Sequence, residues 1–265
     1  MIRYLLFILF PVGVFSQSLT ELKAFDYRRA DSIALHFPKK KYKSVAEIAL
    51  ALTQDLKTEQ EKLRTIFRWI TDNIEYNKSA SNIIEADKIV RKNKAVCQGF
   101  SNLLKEMCNT VNIPCEVIAG YTKTEAKDIN KALKKTDHAW NCIQLYGTWY
   151  LVDVTWATSK YNVVTHKYVK EFDEHYFLTP PQKFILDHYP KDKKFQFLEK
   201  PIKKSVFIKR PVYYTDYFHF GIENISLQKG SFKWKQSDTL KVNITSGTVI
   251  KNAAVLINAD KFVTP

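Results

Sequence analysis

Residues 137–156 read DHAWNCIQLYGTWYLVDVTW. Two β-prone runs, His138 to Leu145 and Trp149 to Trp156, flank the short break Tyr146-Gly147-Thr148. That is the pattern of an antiparallel hairpin. His138 opens the first strand and Asp153 lies on the second. If Tyr146 pairs with Trp149, the two residues share a sheet face at an offset of four residues. If Gln144 pairs with Trp149, the offset falls to two, a diagonal neighbour within reach. The sequence leaves both registers open.

Upstream of the hairpin the chain is helical. Ser44 with Glu47 reads as an N-cap for a helix over 44–56, on which Val45, Ile48, Ala49 and Leu52 recur at helical spacing. Thr58 with Glu61 opens a stronger helix whose apolar stripe is Leu63, Ile66, Phe67, Ile70 and Ile74, with Trp69 beside it as a core residue. Asn82 to Lys92 reads as a third, shorter helix. A fourth starts at or just after Cys97, with Phe100, Leu103, Leu104, Met107 and Cys108 on one face, and stops before Pro114. Cys115 to Tyr121 alternates as a strand. Residues 123–136 are polar and Lys-rich, the pattern of a mobile loop.

Downstream, Pro180-Pro181 and Pro190 break a mixed region over 157–204. From Val206 the pattern turns to period two, with Phe232/Trp234 and Leu240/Val242/Ile244 alternating with polar residues. The expectation is a β-rich C-terminal module over 205–265 that is incomplete or pairs with another chain. At the other end, Arg3 precedes an apolar run from Tyr4 to Phe15 that is too short to span a bilayer. This reads as a signal peptide over 1–16, cleaved so that Gln17 becomes the first residue, and implies a secreted, periplasmic or cell-surface protein. No later stretch is apolar enough for a transmembrane segment.

Composition narrows the class. With 265 residues, 45% hydrophobic and 14% aromatic, the chain can build a core without disulfides or metals. Seven Gly and nine Pro exclude collagen-like and low-complexity classes. The net charge of +14 suits acidic surface partners, but the lysines are scattered and no nucleic-acid motif accompanies them, so no specific nucleic acid is expected. Cys97, Cys108, Cys115 and Cys142 show no C-x-x-C spacing and no His pair at ligand spacing, which argues against zinc. Cys108 and Cys115 flank one helix–strand turn and are candidates for a disulfide. Cys142 reads as strand-buried.

The chemistry concentrates on Cys97, His138 and Asp153. A helix N-terminus favours a thiolate through its exposed N–H groups and dipole, and Gly99 permits close backbone approach beside it. His138 supplies a base and then an acid, and Asp153 a carboxylate to orient it.

These residues carry a resemblance. Val96-Cys97-Gln98-Gly99-Phe100-Ser101, Val117-Ile118-Ala119-Gly120-Tyr121, Asp137-His138-Ala139-Trp140-Asn141 and Trp149-Tyr150-Leu151-Val152-Asp153-Val154-Thr155-Trp156 resemble, in order and spacing, the Cys, His and Asp blocks of the transglutaminase-like superfamily. The Glu61-to-Tyr76 helix and the downstream Tyr176-Phe177-Leu178-Thr179-Pro180-Pro181 and His188-Tyr189-Pro190 blocks resemble its kyphoscoliosis-peptidase-like branch. The resemblance spans roughly 45–200. It implies an α+β, papain-like transglutaminase-core fold, with N-terminal helices packed on an antiparallel sheet, as a cysteine-enzyme domain over 17–204 followed by a small β-rich unit. It implies Cys97 as nucleophile, His138 as base and acid, Asp153 as the orienting carboxylate, and attack on a carboxamide or peptide carbonyl of a protein or peptide substrate. Hydrolysis and cross-linking both fit. So does the peptide N-glycanase chemistry that the same fold hosts. Family members often use an upstream aromatic in the oxyanion hole, for which Tyr76 is the candidate beside the Cys97 N–H, and Trp140 is expected to pack beside the site. The family's calcium-dependent members carry acidic sites that this chain lacks, so no metal or cofactor is expected. A binding module that keeps the fold without the chemistry is the alternative.

Overall fold

The computed structural model describes residues 18–39, 42–162, 167–219, 221–233, 241–247, 249, 255–257 and 261–263. The N-terminal segment read as a signal peptide lies outside them, as do Trp234 and Leu240 of the alternating tail.

Six helices lead the chain: α1 (Leu19–Ala24), α2 (Arg28–Leu35), α3 (Val45–Thr53), α4 (Glu59–Asn73), α5 (Ala86–Lys92) and α6 (Cys97–Thr110). Two residues each of β1 (Glu75–Tyr76) and β2 (Lys94–Ala95) pair in parallel just before α6. Ser44 caps α3, and Thr58 with Glu61 closes a full capping box on α4. The α4 stripe is buried completely, and Trp69 is 7% exposed. The third helix starts at Ala86 rather than Asn82, because the preceding residues are spent on a short turn in which the Ile83 N–H donates to Ala80.

The sheet is antiparallel, in the order β5-β4-β3-β8, from β3 (Cys115–Thr122), β4 (His138–Leu145), β5 (Thr148–Val152) and β8 (His188–Pro190). Between them β6 (Ser159–Asn162) and β7 (Lys167–Lys170) form a separate hairpin, and α7 (Pro181–Phe184) follows. The register is Gln144↔Trp149. It is set by a two-residue turn in which Tyr146 (φ 50°) and Gly147 (φ 81°) are both left-handed, the geometry that matches the twist of paired strands. Helix α6 packs across β3 and β4 with Phe100, Leu103, Leu104 and Met107 fully buried. Its first turn sits so close to the preceding segment that a Cβ on Gly99 would lie 2.8 Å from the Ile83 carbonyl oxygen. Only glycine permits that approach.

Three expectations need correction. Strand β5 ends at Val152, and Val154 to Thr158 form a turn. Segment 123–136 is not a free loop. Lys123 is 1% exposed, and its ammonium donates to the Phe207, Arg210 and Pro211 carbonyls. Three donors meet three acceptors, which makes burial of the charge tolerable. The tail does not turn β at Val206 either. Residues Lys204–Lys209 and Thr215–His219 are helices α8 and α9, and Phe207 is fully buried against Tyr189 and Tyr121. Among the described residues, strands follow as β9 (Ile222–Ile225), β10 (Ile244–Ser246), β11 (Val255–Ile257) and β12 (Lys261–Val263).

Candidate active site

The fold brings Cys97, His138 and Asp153 together. Cys97 opens α6, where the N-cap residue Val96 provides no side-chain cap, and it is partly exposed. His138 opens β4 at 8% exposure, and Asp153 follows β5 at 0%. The His138 Nε2 donates to Asp153 Oδ2 at 2.6 Å, which leaves Nδ1 for the hydrogen bond to the Cys97 thiol. The other Asp153 oxygen, Oδ1, accepts from the Thr155 and Trp156 N–H groups at 2.8 and 3.0 Å. Asp153 thus caps the turn that ends β5, and that cap fixes its aim.

The electrostatics follow from these contacts. Burial pushes the Cys97 thiol up, but the His138 hydrogen bond and charge, with the Ala139 N–H, outweigh it, and the net shift is downward. Burial disfavours a charged His138, yet the Asp153 charge and hydrogen bond, joined by Cys97, raise its pKa to about 10. Asp153 is also buried, and His138 and His188 hold its carboxyl well below the usual carboxylate range. The arrangement favours a thiolate–imidazolium pair over a neutral one.

The remaining thiols are of the opposite kind. All four cysteines are unpaired, so the candidate disulfide pair Cys108 and Cys115 stands as two thiols, hydrogen-bonded to each other. Burial and the Cys108 thiol push Cys115 well up, and burial pushes Cys142 up to about 12. Neither is poised as a nucleophile at neutral pH.

Tyr76 is partly buried on β1, paired with Ala95, two residues before Cys97. Trp140 is buried with its ring 6.0 Å from His138 and 5.1 Å from His188. An open cavity of about 550 Å³ is lined by Ala119, Lys191, Asp192, Lys193 and Phe195. Ala119 is the strand partner of Ala139, whose N–H reaches the Cys97 sulfur.

The sequence reading missed His188 as a site residue, placing it only in a downstream block. In the structure its Nε2 donates to Asp153 Oδ2 at 3.0 Å, the oxygen that also serves His138. The signal was the Asp187-His188 pair itself, a titratable dyad in an otherwise apolar stretch. His138, Asp153 and His188 are metal-binding residue types with ligand atoms within 4.8 Å of one another. Their N···O separations of 2.6 and 3.0 Å are hydrogen bonds, whereas two ligands on tetrahedral bonds of about 2.1 Å to zinc stand about 3.4 Å apart.

Residues 46–154 match the transglutaminase-like superfamily. That part of the chain is a transglutaminase-like domain. It is 32% identical to human kyphoscoliosis peptidase over 184 residues, covering 66% of this chain and 28% of that protein. It is 26% identical to Drosophila melanogaster hillarin over 213 residues, covering 74% of this chain and 26% of that one. The chain therefore spans little more than a quarter of the length of these curated relatives. A solved structure described as a putative cysteine protease from Cytophaga hutchinsonii overlaps 62% of this chain and 49% of its own, with 20% identity and a TM-score of 0.35.

Proposed function

We propose that this transglutaminase-like domain is a cysteine acyl-transfer enzyme acting on a carboxamide or peptide carbonyl. The observation that carries the reading is the continuous hydrogen-bonded line from the Cys97 thiol through His138 to a fully buried Asp153. The Cys97 thiolate attacks the carbonyl carbon, and a C–S bond forms as the carbonyl π pair moves to oxygen. The oxyanion is received by the Cys97 N–H and the Tyr76 hydroxyl. It collapses as the His138 imidazolium gives its proton to the departing amine, and the C–N bond breaks. Neutral His138 then takes a proton from water or an amine, which attacks the thioester and returns the thiolate. Water makes the protein a peptidase or amidase; an amine makes it a cross-linking enzyme. Lys191 and Lys193 outnumber Asp192 around the cavity beside Ala119, which favours an acidic substrate segment. The apolar run after Arg3 supports action outside the cytoplasm, and mature protein beginning at Met1 in the cytosol would overturn that part.

The decisive experiment incubates the protein with a peptide library and a primary amine and reads the products by mass spectrometry. Cleavage, deamidation or amine adducts that vanish in Cys97→Ala identify the reaction. An unchanged library, together with no preferential iodoacetamide labelling of Cys97, overturns the enzyme reading in favour of a binding module. Tyr76→Phe slows the acyl-transfer step by about 10–1,000-fold if its hydroxyl serves the oxyanion.

A further inference from the structure

The line of polar contacts does not end at Asp153. His188, on the edge strand β8, is fully buried between two carboxylates. Its Nε2 lies 3.0 Å from Asp153 Oδ2, and its Nδ1 lies 2.6 Å from Asp187 Oδ1. With both carboxylates ionised, their oxygens only accept, and each ring nitrogen then carries hydrogen. A neutral imidazole has one N–H and cannot satisfy both contacts. The surroundings suit a cation. The Phe184 and Trp156 rings stand 4.2 and 4.3 Å from the His188 ring, with Trp140 at 5.1 Å and Tyr176 at 6.0 Å. Asp187 is itself held, by the Tyr176 hydroxyl at 3.2 Å, and it lies within electrostatic reach of the buried Lys123 ammonium.

We propose that His188 is a positioning residue of this site: a buried imidazolium that bridges Asp153 and Asp187 and keeps the Asp153 carboxylate ionised and aimed at His138. The proposal rests on the reading of Cys97, His138 and Asp153 as the reacting groups. Charges then alternate along one line, buried from His138 onward, from the Cys97 thiolate through His138, Asp153 and His188 to Asp187. Each charge is flanked by its opposite, which is how a low-dielectric interior holds several of them. His188 also moderates the pair. It draws on the same Asp153 oxygen that holds the His138 proton, so it limits how tightly that proton is held. The titratable groups facing His188 are Asp153, Asp187, His138 at 5.4 Å and Tyr176, with His175 in electrostatic range.

The test is ¹⁵N NMR of histidine-labelled protein, following the non-exchanging ring protons, in wild type, Asp187→Asn and His188→Gln. The protein has six histidines, and loss of signals in His188→Gln assigns the ring. In wild type, both His188 nitrogens should show the imidazolium signature at pH 7. The His138 midpoint should move in opposite directions, by about half a unit or more each way. It falls in Asp187→Asn, where His188 leans on Asp153 alone, and rises in His188→Gln, where no cation competes for that oxygen. Loss of packing alone has no reason to give opposite signs. A His188 that is a single neutral tautomer at pH 7 overturns the proposal, as does a His138 midpoint unmoved in folded Asp187→Asn. If His188→Gln does not fold, Asp187→Asn decides alone. None of these readings depends on turnover, so an inactive protein with an imidazolium at His188 sinks the enzyme reading and leaves this assignment of His188 standing.

Discussion

Two buried charge clusters hold this domain together, and they differ in one respect. Arg64 on α4 is 4% exposed and forks onto Asp31 of α2 at 2.6 and 2.8 Å and onto Glu174 at 2.7 Å through both terminal nitrogens. Its guanidinium also lies 4.8–5.1 Å from the centres of the Tyr27, Phe172 and Phe177 rings. The cation is permanent, and its acidic partners reach solvent, with side chains 25% and 51% exposed. In the line from Cys97 to Asp187 every member is an ionisable side chain, and from His138 onward none is more than 8% exposed. A fixed cation against half-solvated carboxylates makes a rivet between helices. Alternating titratable groups shut away from water make a place where a proton can be held at one atom and released to another.

The largest effect expected on the reactive line is from Cys97→Ala, which removes all acyl transfer and all rapid alkylation while leaving the thermal midpoint within a few degrees of wild type. Iodoacetamide followed by peptide mapping checks it: Cys97 labels first in wild type, and the variant labels only on unfolding. Label appearing first on Cys142 would break the contrast among the four thiols.

Asp153→Asn comes next and tests how far a carboxylate is required. Both oxygens of Asp153 accept, Oδ2 from His138 and His188 and Oδ1 from Thr155 and Trp156. An amide placed either way turns its NH2 toward two donors. Activity should fall by about 10²–10⁴-fold, less than in Cys97→Ala, and the thermal midpoint should fall as well. An Asn variant as stable as wild type would mean that the four donors do not bind the carboxylate as a set.

Arg64→Met addresses the other cluster. Removing the cation strands Asp31 and Glu174 beside apolar rings, at about 3 kcal/mol by urea denaturation, softened because both carboxylates reach water. The pH dependence of Cys97 alkylation should be unchanged. A shifted profile would mean that the two clusters are coupled, against the distinction drawn here.

One side of this contrast, the reactive line, was legible in the sequence, and the Arg64 cluster was not. The hairpin, the capped helices and the Cys97, His138 and Asp153 positions follow from local patterns: period two, capping boxes, a helix start. The register did not, because Tyr146 takes a left-handed conformation that its side chain does not advertise. His188 was missed because its role depends on β8 docking at the far edge of the sheet, which the sequence around it does not specify. Lys123 and Phe207 were misread for the same reason. A lysine in a polar run looks solvated until the carbonyls that surround it arrive from residues 207–211.

The smallest effect is a pH dependence of stability, and it separates the clusters directly. His138 binds its proton in the folded protein up to about pH 10, whereas in the unfolded chain it loses it near 6.5. Its contribution to stability is therefore complete below 6.5 and is lost as pH rises through the folded midpoint. In wild type the Cys97 thiol partly cancels this, because its lowered pKa makes it release a proton on folding over part of the same range. The measurement therefore belongs in the Cys97→Ala background, where His138 still faces Asp153 and keeps a raised midpoint. The stability difference between Cys97→Ala and Cys97→Ala/His138→Gln should be constant up to about pH 6.5 and then shrink with increasing pH. The difference between wild type and Arg64→Met should stay flat over the same window, since the guanidinium does not titrate there. If the first difference is also flat, Asp153 does not raise the His138 pKa, and the line from Cys97 to Asp187 is as static as the cluster around Arg64.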